Sequence, residues 1–184
     1  MKELQVHGKS MWPFLSNGER VEIDEKAADL AVGDVVAYYA PETEMKAAAH
    51  RIVKLIVREN RRFVQTKGDS QITYDDLVPL GDVYGAVCGK RTKRGARIDL
   101  NDPVMRRLGT VVAWNGRIVA ALRDRIHVAT KGIVGTGRGR MRMKIKTTMC
   151  WLPFMILRAY NNVTNVLCWI VGMLWLEMKS LKHS

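Results

Sequence analysis

At 184 residues the chain suits one domain of ordinary size plus an appendage, and with 47% hydrophobic and 26% charged residues and no excess of Gly or Pro it is not a long disordered chain. Cys88, Cys150 and Cys168 are an odd set without C-x-x-C spacing, which argues against a disulfide framework and a cysteine zinc site and suits a reducing compartment. The net charge of +12 is unevenly placed: residues 1–100 carry 16 Lys/Arg against 15 Asp/Glu, and residues 101–184 carry 14 against 3, so an acidic partner, lipid or nucleic acid, is expected for the second half alone.

In chain order, MKELQVHGKS lacks the apolar run of a secretory signal, so nothing at the start is expected to export or anchor the chain. Residues 1–100 then read as a β-rich domain. VEID, DVVAYYA, HRIVKLIV, RRFVQT and VYGAVCG are rich in Val, Ile, Tyr and Phe, and REN, KGDS and LGD supply turns between them. Five or more closely spaced strands with no long helix among them predict a mainly β fold, antiparallel and partly closed. Near Asn101 the period changes. Asn101 or Asp102 is a possible N-cap with Pro103 in the first turn, and Val104, Leu108, Val111, Val112, Ile118 and Leu122 recur at helical spacing. A helical extension is therefore expected over 101–130, with Gly109 and Gly116 weakening it. Residues 131–184 read as a basic, Gly-rich flexible link, KGIVGTGRGRMRMKIK, followed by an apolar tail. GTGRGR within the link lacks a strand-to-helix setting and the final glycine of a dinucleotide loop, so no nucleotide cofactor is expected, and no other cofactor or metal.

Three strings carry possible chemistry. GKSMWPFLSNGERVEID sets Ser10 in a turn stiffened by Pro13 and Gly18, AAAHRIVKLI puts His50 at the start of a strand, and FVQTKGDSQITYDDLVPL offers Asp69, Asp75 and Asp76. A histidine is the usual proton acceptor for a weak hydroxyl nucleophile, and a carboxylate orients the imidazole. Taken singly, each has a plainer reading: a surface serine beside a buried methionine, a surface histidine, and aspartates doing turn chemistry.

The order of the strings is more specific than any of them. Ser-Met-x-Pro, GDVVAY, His-Arg-Ile, Thr-Lys-Gly-Asp, a further Asp, and a short apolar strand with Gly resemble the signal peptidase I and LexA-repressor superfamily of serine peptidases, over about residues 8–100. Members of that superfamily use either lysine or histidine as general base. The His-Arg-Ile string resembles the histidine kind found in endoplasmic-reticulum and archaeal-type signal peptidases. The resemblance implies Ser10 as nucleophile, His50 as base and either Asp75 or Asp76 as the orienting carboxylate, with Asp69 mainly structural. Lys9 and Lys54 are alternative bases, Lys54 by sharing a strand face with His50. Two departures stand out. Gly8 replaces a serine whose hydroxyl assists the oxyanion hole in many signal peptidases, which leaves the backbone N–H of Ser10 to serve, and only nine residues precede Ser10, where such enzymes carry a membrane helix.

The implied activity is an endopeptidase acting on an extended precursor, signal or leader peptide. Its rivals are a self-cleaving LexA-like regulator, which would need a DNA-binding domain, and an inactive peptidase fold that binds membranes. The basic run followed by the Trp-bearing apolar segments suits an anionic membrane surface contacted through residues 138–176 better than nucleic acid. Asn161, Asn162, Thr164 and Asn165 interrupt the apolar stretch, so a spanning helix is not expected. The expected location is the cytoplasmic face of a membrane or the cytoplasm itself, and the expected tail is separable, so that removing residues 138–184 should leave a folded β-domain; a helix packed on that domain is the alternative.

Overall fold

The computed structural model describes residues 2–26, 29–39, 47–134 and 140–181, with the side chains of 130–134, 140–151 and 180 left out. Its first part is an antiparallel sheet of β1 (Lys2–Gln5), β2 (Arg20–Asp24), β3 (Val35–Tyr39), β4 (Ala47–Arg58), β5 (Arg61–Lys67), β6 (Leu77–Pro79), β7 (Val83–Arg91) and β8 (Arg97–Asp99). The strands are ordered β1-β2-β7-β3-β4-β5-β6, and β8 pairs with the far end of β7. Register shifts at Glu22/Ile23, Ala37/Tyr38 and Ile52/Lys54 bend the ladder, and the sheet curls into a half-barrel.

The central strand shows why this sequence makes a sheet with two covered faces. In VVAYY, Val35 and Ala37 join a cluster with Met11, Leu15, Val21, Ile23 and Val87. Val36 and Tyr38 point the other way, into a cluster with Ile52, Val64 and Val78. The period of two thus sends alternate side chains into separate cores, and β-branched residues suit both. The β4–β5 hairpin closes through Glu59 and Asn60 at φ 48° and 59°, the paired positive values of a tight hairpin turn, which bears out the turn expected at REN. All five expected strings form strands. The three strands outside those strings, β1, β6 and β8, have only three or four residues each, too few for a period to register.

Two helices follow, α1 (Pro103–Val134) and α2 (Arg140–Leu181). The mainly β domain with a helical appendage is therefore as expected, but the boundaries within the appendage differ. α1 runs past residue 130, and the basic RMRMKIK forms the first turns of α2 rather than a flexible link, since Arg, Met and Lys are good helix formers. Residues 135–139, the centre of the expected link, lie outside the described residues.

Nor is the second helix a separate tail. Phe14, beside Ser10 in sequence, packs with Met105 and Val112 of α1 and with Cys168, Trp169 and Leu176 of α2. Lys179 near the end of α2 bonds Asp102 before α1 at 2.7 Å. Gly109 explains itself here: a Cβ on it would stand 2.7 Å from the Gly33 carbonyl oxygen, so α1 lies against the β-domain only because that position is bare.

Candidate active site

Ser10 sits in a tight turn between β1 and β2. Met11, Phe14 and Leu15 are buried and plug the turn into the core, while Leu15 N–H bonds the Met11 carbonyl at 2.9 Å. A second segment, Lys67–Asp75, clasps it: Ser70 N–H donates to the Ser10 carbonyl at 2.8 Å, and the Ser70 hydroxyl donates to the Lys9 carbonyl at 2.8 Å. The nucleophile candidate is thus fixed through its backbone while its side chain stays available.

His50 lies in β4, opposite Val36 of β3. Its Nε2 is 2.9 Å from Ser10 Oγ and its Nδ1 is 2.7 Å from Asp75 Oδ2. The same carboxylate oxygen accepts from the Thr66 hydroxyl at 2.8 Å and the Tyr38 hydroxyl at 3.3 Å. Asp75 is itself held in place by its N–H on the Thr66 carbonyl at 3.0 Å and by the Gln65 side-chain amide on its carbonyl. An ionised Asp75 accepts only, so Nδ1 carries the imidazole proton and Nε2 is left as the acceptor for the Ser10 hydroxyl.

The electrostatics agree. Burial alone would push the Asp75 carboxyl up, but the hydrogen bond and charge of His50, with the Thr66 and Tyr38 hydroxyls, outweigh it and hold the group below the usual carboxylate range. Burial raises the Tyr38 hydroxyl to about 12, with the Thr66 hydrogen bond opposing and the Asp75 charge adding, so Tyr38 stays a donor at working pH. The His50 and Asp75 side chains are 12% and 20% exposed, shielded enough to strengthen their hydrogen bond yet open at the Ser10 edge.

Of the two adjacent aspartates, the structure brings Asp75 to His50 and leaves Asp76 exposed, its charge felt only as a small addition at Tyr38. Asp69 is buried in a two-pronged pair with Arg51, at 2.8 and 2.7 Å, next to His50 in sequence. Lys9 is exposed. Lys54 does not share the His50 environment: the bulge between Ile52 and Lys54 resets the alternation, and its amine lies 4.7 Å from the Tyr74 ring centroid. Gly8 has φ 93°, a backbone state that a serine rarely adopts, and the Ser10 N–H donates to no acceptor among the described residues.

Beside Ser10 and His50 lies a cleft of about 380 Å³ between β1 and the start of β4. Leu4, Val6, Met11, Ile23 and Ala49 give it apolar walls, and Gln71 lines it together with Ser10 and His50. The described residues include no cluster of His, Cys, Asp and Glu able to hold a metal ion. Compared with family models, curated proteins and solved structures, the chain matches none. The site's chemistry therefore rests on its own geometry.

Sequence reasoning missed the supporting shell. Tyr38 and Thr66 lie in the quoted strings GDVVAY and TKGD, but nothing in a string reveals that both hydroxyls meet one carboxylate. It also missed Lys67, buried beneath α1, where its amine bonds the Gly68 carbonyl at 3.2 Å. Burial lowers Lys67 from 10.5 to about 8, against the pull of Asp69 and with a push from Arg51. Because the folded value lies below the unfolded one, the unfolded chain binds more protons between those two pH values, and stability should rise with pH across that window. Relative to a Lys67→Met variant, the wild type should gain about 3 kcal/mol from pH ~8 to ~10.5, read from urea unfolding at each pH. A constant difference between the two proteins would show that Lys67 is not held in a lowered state.

Proposed function

We propose that the chain is a serine endopeptidase of signal peptidase type that cleaves an extended precursor, signal or leader peptide. The observation that carries this reading is the Ser10–His50–Asp75 relay at 2.9 and 2.7 Å, opening onto a cleft with apolar walls. Ser10 Oγ attacks the scissile carbonyl carbon while His50 Nε2 takes its proton. The developing oxyanion is stabilised by the Ser10 N–H, which donates to no acceptor among the described residues. The imidazolium, steadied by Asp75, returns the proton to the leaving amine, and the acyl-enzyme passes to water activated by the same base. The order of motifs resembling the Ser-His signal peptidases supports the same assignment. Among the described residues no helix is long and apolar enough to cross a membrane, and the proposed place of work is an anionic membrane face.

The test is to incubate wild type and Ser10→Ala with candidate precursors and follow products by mass spectrometry. Wild type should release a discrete fragment and form an adduct at Ser10 with an acylating inhibitor, and Ser10→Ala should do neither while keeping the wild-type circular dichroism. A cut within the chain itself would favour the self-cleaving regulator, and equal cleavage by both proteins would remove Ser10 from the mechanism.

A further inference from the structure

The helical pair has an outward face that the described residues leave uncovered. On α1, Arg107, Val111, Trp114, Ile118, Leu122 and Arg125 follow one another at steps of three or four residues, which puts them on one stripe, and all six are exposed. On α2, Leu152, Ile156, Val163, Leu167, Ile170 and Leu174 form a second exposed stripe about 33 Å long. Opposite that second stripe, Leu157, Asn161 and Asn165 are buried against the rest of the protein. The two stripes are continuous: Leu122 and Ile126 of α1 share an open groove of about 550 Å³ with Leu152, Ile156 and Tyr160 of α2. An exposed apolar face of this extent is unusual on a protein surface and marks a place of contact.

Charge identifies the occupant. Arginines bracket the apolar run of α1 at both ends, Arg117 lies 4.9 Å from the Trp114 ring, and residues 101–184 carry 14 cations against 3 anions. Trp114 and Tyr160 are largely exposed along the same pair, as aromatic rings are where an apolar layer meets a polar one. From the continuous apolar stripes, the bracketing arginines and these aromatics, we propose that the α1–α2 pair lies flat on an anionic lipid surface, its outer face in the acyl boundary and its arginines among the headgroup phosphates. The face differs from the one expected over 138–176. It recruits α1, outside that range, and excludes the inward side of α2. It does not depend on the peptidase reading. It does bear on it, because the inner side of the same pair meets the catalytic segment: Tyr74 OH bonds the Arg117 carbonyl at 3.3 Å, and Asn161 and Asn165 bond the Asp69 carbonyl at 2.7 and 2.6 Å. One helical layer therefore separates the Ser10 site from the lipid.

The full chain should cosediment with vesicles of mixed phosphatidylcholine and phosphatidylglycerol, more weakly with pure phosphatidylcholine, and less as salt rises. Ile118→Glu with Leu167→Glu, at positions 52% and 58% exposed, should weaken vesicle binding roughly 100-fold with an unchanged melting temperature. Arg107→Gln with Arg125→Gln should weaken it roughly 30-fold and flatten the salt dependence. A measurement on the unaltered surface guards against a misfolded variant: bromine-labelled lipid should quench Trp114, read as the difference between wild type and Trp114→Phe. Binding that is indifferent to both double variants, or Trp114 unquenched in vesicle-bound protein, would overturn the proposal. So would a solution dimer that Ile118→Glu with Leu167→Glu dissociates while vesicles bind neither protein, since the face would then belong to a second copy.

Discussion

Cleavage by a His50→Ala variant should fall roughly 10,000- to 1,000,000-fold below wild type, with binding of the uncleaved peptide retained. The expectation follows from geometry: Nε2 stands 2.9 Å from Ser10 Oγ, and among the described residues no lysine takes that place. Lys54→Ala should have little effect, since its amine is spent on the Tyr74 ring. Asp75→Asn should cost roughly 10,000-fold, because an amide in place of the carboxylate turns the imidazole to the wrong tautomer. Asp76→Asn, at an exposed position, should leave the rate nearly unchanged. Asp75 also sets an acid limit. Its folded value is depressed, so it contributes stability above the unfolded value of ~3.9, and that contribution is lost as pH falls through the folded value. Stability, read from urea unfolding at a series of acid pH values, should therefore fall less steeply with falling pH for Asp75→Asn than for wild type. The decisive comparison is kcat/KM for the single variants on one peptide. An active His50→Ala beside an inactive Lys54→Ala would replace the histidine mechanism with a lysine one.

What could be read from the string and what could not divide along physical lines. The five longer strands announce themselves because β-branched and aromatic residues alternate over enough positions for a period of two to stand out. Ser10 and His50 were legible through the order of their motifs. The choice between Asp75 and Asp76 was not, because neighbouring residues in extended chain point to opposite sides and only the bond from Asp75 N–H to the Thr66 carbonyl fixes which one faces the imidazole. Asn161 and Asn165 were more misleading. In the string they are polar interruptions of an apolar run. In the fold each is buried, and each donates to a backbone carbonyl 92 or 96 residues away. A backbone acceptor has no residue identity, so no pattern of side chains signals it. For the same reason composition and period left the packing of α2 on the β-domain as an alternative and favoured a separable tail over it.

A chain ending at Val134 should fail to unfold cooperatively and should aggregate, contrary to the separable tail that the sequence order suggests. Without α2 the cluster of Phe14, Met105 and Val112 loses Cys168, Trp169 and Leu176 from its cover, and each large apolar side chain left in water costs about 1.5–3 kcal/mol. The Asp69 carbonyl loses both amide donors, and the pairing of Lys179 with Asp102 at the start of α1 disappears. Against a total stability of about 5–15 kcal/mol, losses of this kind are not survivable in sum. Truncation is a blunt test, so the finer one is Asn161→Ala with Asn165→Ala in the full chain. Leaving a buried carbonyl unpaired should cost about 1–3 kcal/mol, read as a lower urea midpoint at constant slope. Its catalytic consequence separates a lock on the site from mere scaffolding. Asp69 anchors Arg51 beside His50, and its segment carries Ser70 onto Ser10, so the double variant should lose kcat under conditions where it is still fully folded. Full kcat in the folded double variant would confine the asparagines to stability. A truncated chain that melts cooperatively at the wild-type temperature would restore α2 as a dispensable appendage.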